Sequence, residues 1–282
     1  MALLLTNVLR TFADSLTFIS TTKVHDKWFP YTLVPTLHAM RISMVYQDNA
    51  RKAGHGKTLS WPTYLAGYLI MCWGGGALSH LFLGLPPPIF YSTDLYINYI
   101  APHLLFTAFF AIFPELLNSP LLDTLFFPLD ALLRTNAITA TIGLLSSPGV
   151  NPVYAGSPLA HMLLGAIASA GGGLSAATLK TWTPEWSVGT PPVLRQGVGI
   201  WGTLDVWGGA LVALVYGIST SHYAFSGYTD TLSFAPGTIA LSPLGAKALG
   251  AVVLTLLFGL RVLFTHWFRQ GSKGGQKKVK TR

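Results

Sequence analysis

Charged residues are scarce in this chain of 282 residues, where aspartate, glutamate, lysine and arginine together make up 10%. A soluble domain usually carries about 25% charged residues. Hydrophobic residues reach 51%, and the mean hydropathy is +0.49. This composition excludes an ordinary soluble protein and predicts a membrane protein. The single cysteine, Cys72, lies in an apolar segment, which excludes an intrachain disulfide framework.

Signatures of catalysis are also missing. The sequence contains no HExxH, no GxSxG, no Walker loop and no CxxC. The ten acidic residues are scattered and mostly flank helices, so no carboxylate pair stands out, and the eight histidines are not spaced as helical ligand pairs. We therefore predict that the chain is not an enzyme and has no catalytic residue and no metal site.

The formal net charge of +8 has a membrane explanation. The basic residues collect at helix ends and in a C-terminal tail, where lipid headgroups and membrane topology account for them. We expect no nucleic-acid partner.

Seven segments are candidates for membrane-spanning helices, since a bilayer core needs roughly 20 mostly apolar residues per helix. Five strong candidates lie at 61–84, 97–117, 158–181, 199–219 and 243–267, and two weaker ones lie at 28–46 and 121–147. The weaker two each hold proline and one arginine. The sequence thus predicts three regions: an amphipathic, interfacial N-terminal segment (1–27), a seven-helix transmembrane channel domain (28–267) and a basic, disordered cytosolic tail (268–282).

Loop charges predict the orientation. Basic residues collect in the loop after the first span, around the end of the fifth, and in the tail: Arg51, Lys52, Lys57, Lys180, Arg195, Arg269, Lys273, Lys277, Lys278, Lys280 and Arg282. With seven spans these all fall on one side, which the positive-inside rule makes cytosolic. The C-terminus is therefore expected in the cytosol. Arg10 and Lys23, before the first span, do not fit this pattern.

Two triple-glycine runs interrupt apolar spans, Gly74-Gly75-Gly76 in the second and Gly171-Gly172-Gly173 in the fifth. Glycine weakens a helix interior, and a loosened backbone is tolerated in a membrane where it is covered by protein or lines a wet cavity. One interpretation is that both runs kink their helices and line a pathway. The alternative is that the glycines only let neighbouring helices pack closely.

An internal repeat supports the first interpretation. Proline, arginine and the glycine run follow in the same order twice, as Pro35, Arg41 and Gly74, then as Pro128, Arg134 and Gly171. Spans 1–3 and 4–6 would then be copies, and because three is odd the second copy would be inverted. The fold class predicted is an all-α membrane protein with two inverted three-helix repeats plus a seventh helix. Trp207-Gly208-Gly209 in the sixth span also resembles Trp73-Gly74-Gly75, which does not fit this register.

Charged residues inside the spans are the other candidates. Arg41 and Arg134 either extend to the cytosolic interface or form a basic pocket for an anionic lipid headgroup, which Lys180 could join. Lys247 and Arg261 are 14 residues apart on one face of the seventh span, and Asp205 is a candidate ion-pair partner for one of these cations. These three residues are our candidates for gating or ion pairing.

The chain resembles the trimeric intracellular cation (TRIC) channel family in three features. The glycines of span 2 run into Leu81-Phe82-Leu83-Gly84-Leu85-Pro86, and span 5 runs into Lys180-Thr181-Trp182-Thr183-Pro184-Glu185. The third feature is the layout of two three-helix repeats and a seventh helix. The resemblance covers about residues 28–267 and implies a homotrimer in the endoplasmic reticulum membrane, with one K⁺ and Na⁺ pathway in each protomer that balances charge during Ca²⁺ movement. It also implies a bound phosphoinositide lipid at the cytosolic end of helix 4, where this chain has Arg134.

The sequence departs from the family at two places. The Lys-Glu-Val motif of animal members is matched only by Arg134-Thr135-Asn136, and the lysine before the helix-5 glycines is absent. We interpret the chain as a divergent member, with a fungal origin as the expectation. Two other functions stay open, a secondary transporter with inverted repeats and a non-conducting membrane scaffold.

Overall fold

The computed structural model describes residues 2–228 and 240–268, which fold mainly into helices. The charged tail from Arg269 onward and Asp230 lie outside the described residues. The main α-helices are α1 (Ala2–Thr21), α2 (Leu33–Lys52), α3 (Trp61–Phe82), α4 (Asp94–Ile112), α5 (Ser119–Gly143), α6 (Pro152–Ala155), α7 (Pro158–Leu179), α8 (Gly199–Gly202), α9 (Leu204–Ser219) and α10 (Pro243–Val262). An antiparallel hairpin of β1 (Lys23–His25) and β2 (Phe29–Thr32) precedes α2, and a π-helical segment, Leu263–Phe268, follows α10.

Three of the long helices start at the same local signal, a serine with proline one or two residues later. At the starts of α3, α7 and α10, Ser60, Ser157 and Ser242 accept a hydrogen bond from the backbone N–H three residues on, at 3.4, 3.3 and 3.1 Å. Proline suits the first helical turn because the N–H it lacks would have no partner within the helix. These helix starts are therefore encoded locally in the sequence.

A helix stands at each of the seven positions predicted for a span, with differences at the edges. The first begins at Leu33 rather than at residue 28, because Phe29–Thr32 pairs as a strand with Lys23–His25. The sixth begins at Leu204, after the separate turn α8. Within the described part of the chain, four helices are long and apolar enough to cross a membrane: α3, α4, α7 and Pro243–Phe268. The chain is thus a membrane protein by composition and helix length, while α9 is short and α2 and α5 carry charged residues.

The helices pack through a few close pairs. Helix α3 crosses α7, α7 packs along α9, and α5 lies beside α10. The last pair is antiparallel, since Lys247 near the start of α10 reaches Asn136 late in α5, whereas Gly259 near its end faces Phe127. The main apolar core lies between α5, α7, α9 and α10 and includes Ile138, Leu164, Leu204, Val212, Leu254 and Phe258.

Helices α2 and α4 are joined by polar contacts. Thr36 donates a hydrogen bond to the side chain of Asn98 at 2.8 Å, and Ser43 lies 2.7 Å from Nδ1 of His103. Both pairs are buried, and their order along the two helices makes α2 and α4 parallel.

Contacts between helix ends identify the two ends of the bundle. At the end predicted to be cytosolic, Lys52 donates to Ser119 at 2.6 Å, and His266 lies 3.0 Å from Asp123. The start of α7 and the start of α10 lie at the other end. Helix α1 docks on α10, where the buried side chain of Leu16 packs against Ala248 and Ala251.

Candidate functional site: the glycine crossing and the charge network

The two glycine runs meet each other where α3 crosses α7. A Cβ atom added to Gly75 would lie 2.8 Å from the carbonyl oxygen of Ile167, and one added to Gly171 would lie 2.7 Å from the Cα of Gly75. A Cβ added to Gly172 would overlap with the carbonyl oxygen of Met71. Since only glycine leaves room for such a close backbone approach, we call Gly74, Gly75, Gly171 and Gly172 the glycine crossing.

Both helices run unbroken through their glycines, as Trp61–Phe82 and Pro158–Leu179. The expectation that the runs interrupt the helices is therefore wrong. The physical reason is that packing of one helix on the other stabilises the helical backbone and offsets the low helix propensity of glycine. The third glycine of each run differs, because a Cβ added to Gly76 or to Gly173 would meet nothing within 4 Å.

The crossing is symmetric in sequence as well as in space. The two runs are 97 residues apart. If both residues of a contact are replaced by the residues 97 positions away in the other helix, the result is another contact that the structure contains. Gly75 against Gly171 becomes Gly172 against Gly74, and Gly75 against Ala168 becomes Gly172 against Met71. This exchange is the relation expected at a two-fold axis between two copies of one unit.

Arg41 is buried in the middle of α2, with its side chain 9% exposed. Its Nε donates to Asp130 at 3.0 Å and its Nη2 donates to Asp123 at 2.7 Å, both on α5. This burial does not fit an Arg41 side chain that extends into the headgroups, the first of the two alternatives for this residue. Two carboxylates hold its guanidinium inside the bundle, because a buried cation needs opposite charge around it.

Arg134 is also held inside the bundle. Its Nη1 donates to the carbonyl oxygen of Ser169 at 2.5 Å and lies 3.2 Å from Asp205 on α9. The same carboxylate accepts a hydrogen bond from Arg261 of α10 at 2.8 Å. The ring of Phe258 lies 5.3 Å from the guanidinium of Arg134 and 4.5 Å from that of Arg261, which adds a cation–π contact to each.

Together these six residues form what we call the charge network: Arg41, Asp123, Asp130, Arg134, Asp205 and Arg261. Three cations face three carboxylates, so their formal charges cancel. Helix α5 joins the two halves because it carries Asp123, Asp130 and Arg134 at spacings of seven and four residues, which place them on one face.

Sequence reasoning missed Asp123 and Asp130, which it grouped with scattered acidic residues. Their seven-residue spacing, about two helical turns, was the signal that could have found them. Asp205, which the sequence did single out, lies against Arg134 and Arg261 rather than against Lys247.

The charge network lies next to the glycine crossing. Arg134 donates to Ser169, which lies two residues before Gly171 in α7. The crossing and the network are thus neighbouring parts of one polar region inside an otherwise apolar bundle.

Two of the predicted basic residues are not brought to this region. Lys180 is exposed and ends α7 in a left-handed conformation with φ of 53°. It lies 11 residues beyond Ser169, about 16 Å along the helix, so it does not join Arg134 as expected. Lys247 donates to Asn136 and forms no ion pair with the described residues, although Arg261 on the same helix does.

Comparisons with known proteins give one kind of match. The sequence matches no protein-family profile and no curated protein. Among solved structures, the chain is similar to a trimeric intracellular cation channel from C. elegans, determined in the absence of Ca²⁺, with 15% sequence identity and a TM-score of 0.55. The similarity covers 90% of this chain and 96% of that one. The family resemblance in the sequence is thereby confirmed at the level of architecture: this chain has the fold of a trimeric intracellular cation channel.

Proposed function

We propose that the chain is a passive channel for monovalent cations, K⁺ and Na⁺, in an intracellular membrane. The observation that carries the proposal is the charge network inside a bundle with the fold of a cation channel. A charged residue at the centre of a membrane helix costs about 2.5–3.5 kcal/mol on insertion scales. Residues kept at that cost usually mark a route for ions or protons.

The proposed route runs beside the glycine crossing, among α2, α5, α9 and α10. It does not run between α3 and α7, because those helices touch through their backbones at Gly75 and Gly171. The charged oxygens along this route belong to Asp123, Asp130 and Asp205, and each carboxylate is paired with arginine. We infer that this arrangement is closed and that conduction requires the arginines to release the carboxylates.

A cation entering this route would exchange with arginine as the partner of each carboxylate. Carboxylates of fixed position favour cations over anions, and the sequence contains no filter motif that would select sharply between K⁺ and Na⁺. Either ion could balance charge during Ca²⁺ release or uptake, because each carries one positive charge.

The remaining parts of the proposal rest on the family resemblance. These are a homotrimer, seven spans as two inverted repeats plus one helix, a place in the endoplasmic reticulum membrane and a cytosolic C-terminus. The symmetric contacts at the glycine crossing support the inverted repeat. For the phosphoinositide lipid, Lys180 is an exposed cation at the predicted cytosolic end. Arg134 would bind the headgroup only after Asp205 releases it, and Arg41 would have to leave two carboxylates.

Two alternatives each have one observation in their favour. The partly buried carboxylates Asp123 and Asp130 are groups of the kind that a secondary transporter uses to couple protons or Na⁺. The tight contacts at the glycine crossing are what a non-conducting scaffold would also need.

Recording from the purified full-length chain in planar lipid bilayers separates the three functions. A channel gives unitary current steps that are linear in voltage, with a reversal potential near the K⁺ equilibrium potential in a KCl gradient. A transporter gives no unitary steps but a saturable, ion-coupled flux in vesicles. The absence of both, with and without phosphoinositide lipid in the bilayer, would contradict the channel and support a scaffold.

A further inference from the structure

Two histidines lie against each other at the end of the bundle opposite His266, with their ring planes tilted by 60°. His161 sits in the first turn of α7 and is 1% exposed. His222 follows the end of α9 and caps a 3-10 turn, Tyr223–Phe225. The centroids of the two imidazole rings are 4.7 Å apart.

Backbone contacts decide which nitrogen of each ring carries the proton. Nε2 of His161 lies 3.0 Å from the carbonyl oxygen of Ala155, which can only accept, so Nε2 is the protonated nitrogen. Its Nδ1 is buried and has no hydrogen-bond partner among the described residues. In His222, Nδ1 accepts from the backbone N–H of Ala224 at 3.2 Å, so its proton is on Nε2. The bond from Ala224 thus holds the ring of His222 neutral.

The turn that His222 caps packs against both α9 and α7. Phe225 in this turn is completely buried, and its ring fills the space where a Cβ of Gly217 in α9 would stand. The same ring lies edge-on to His161 of α7, with centroids 5.3 Å apart. Loss of the cap would therefore remove a packing contact between these two helices.

We propose that His161 and His222 form a proton-sensing switch at this end of the bundle, in which acid releases the turn that holds Phe225. A proton added at Nδ1 of His222 takes up the lone pair that accepts from Ala224 and leaves that N–H without its acceptor. A proton added at Nδ1 of His161 places a buried positive charge next to the other ring. Other than the two imidazoles, the ionisable group in ring contact with the pair among the described residues is the phenol of Tyr223, which stacks on His222.

The direction of the pH effect follows from burial. Burial lowers the pKa of His222 below the ordinary value of 6.5. A folded-state pKa below the unfolded one means that the open turn takes up a proton first. The stability of the closed turn is therefore fully present above about pH 6.5 and is lost as the pH falls below it.

Hydrogen–deuterium exchange on the full-length protein in lipid nanodiscs tests the switch. Between pH 7.5 and 5.5, after correction for the intrinsic exchange rate, protection of amides in the segment 217–225 should fall by up to about tenfold for one imidazole. The matched variant is His222→Asn, since an asparagine side chain can cap the same N–H but does not titrate. Its protection should depend on pH much less than that of the parent protein, because only His161 still titrates there. Constant protection in the parent protein, or an equal loss in His222→Asn, would overturn the switch.

The link to conduction rests on the proposed function and is measured separately. Acidifying only the compartment opposite the C-terminal side should change the open probability of the parent protein and leave His222→Asn unchanged. If exchange responds to pH but the open probability does not, the coupling is refuted while the switch stands. A protein that shows the exchange response but no current at any pH counts against the proposed channel, not against the switch.

Discussion

Asp205 lies between two arginines, with its Oδ1 2.8 Å from Arg261 and 3.2 Å from Arg134. One carboxylate is thus set against two cations. The opposite imbalance occurs nearer the start of α5, where Arg41 faces both Asp123 and Asp130. Neither half is neutral alone, so α5 is required to bring the two halves together.

Arg41→Met should destabilise the protein strongly. The change leaves Asp123 and Asp130 without their cation, and removal of one partner from a buried ion pair costs about 3–5 kcal/mol. Thermal unfolding in detergent, followed by the loss of the monodisperse peak in size-exclusion chromatography, measures the effect. The double variant Arg41→Met with Asp130→Leu should recover part of the lost stability. A single variant as stable as the parent would show that the pair contributes nothing to folding.

Adjacent glycines in α7 should differ sharply in tolerance. Gly172→Ala forces a methyl group against the carbonyl of Met71, and overpacking typically costs about 1–3 kcal/mol. Gly173→Ala is the matched control, because its added Cβ meets no atom within 4 Å. The yield and melting temperature should fall for the first variant and stay near the parent value for the second. Equal behaviour of the two would contradict the close crossing.

Removing a carboxylate from the charge network should weaken the preference for cations. Asp130→Asn is expected to shift the reversal potential in a KCl gradient toward zero, since less negative charge lines the proposed route. Asp26→Asn removes the same charge from the exposed turn of the N-terminal hairpin and serves as the control. If both variants reverse at the parent potential, the proposed route is wrong.

Phosphoinositide binding can be assigned to one end of α7 or to its middle. Arg134 contacts Ser169 in the middle of α7, and Lys180 lies 11 residues further on, about 16 Å along that helix. The variants Arg134→Ala and Lys180→Ala therefore remove cations from these two places. If the lipid reaches Arg134, native mass spectrometry should show reduced retention for both variants. Loss in Lys180→Ala alone would confine the headgroup to the cytosolic end. Full retention in both would refute the lipid site, and Lys247→Ala controls for the loss of one charge.

Much of the fold could be predicted from the sequence because its signals are local. Apolar length marks the helices, and serine with a following proline marks the starts of α3, α7 and α10. The ion pairs could not be predicted in the same way. Arg41 meets Asp123 and Asp130 across 82 and 89 residues of sequence, and that contact depends on how α2 and α5 rotate against each other.

The role of the glycine runs could also be predicted only in part from the sequence. The positions of the runs were evident in the sequence. Considered in its own helix alone, however, each run predicted a weak point in that helix. The second helix, which supplies the stabilising contact, is the one carrying the other run. The two runs, which the sequence presents as separate weak points, form one shared contact.

The glycine crossing has a mechanical consequence. A contact made by backbone atoms at one point resists sliding, yet it permits two rods to pivot about that point. Gly75 lies 14 residues from Trp61, a lever arm of about 21 Å, so a pivot of about 10° would move that end of α3 by about 3.7 Å. The glycine crossing can thus act as a pivot. Small rotations at the centre of the bundle then become displacements of atomic size at the ends of α3 and α7.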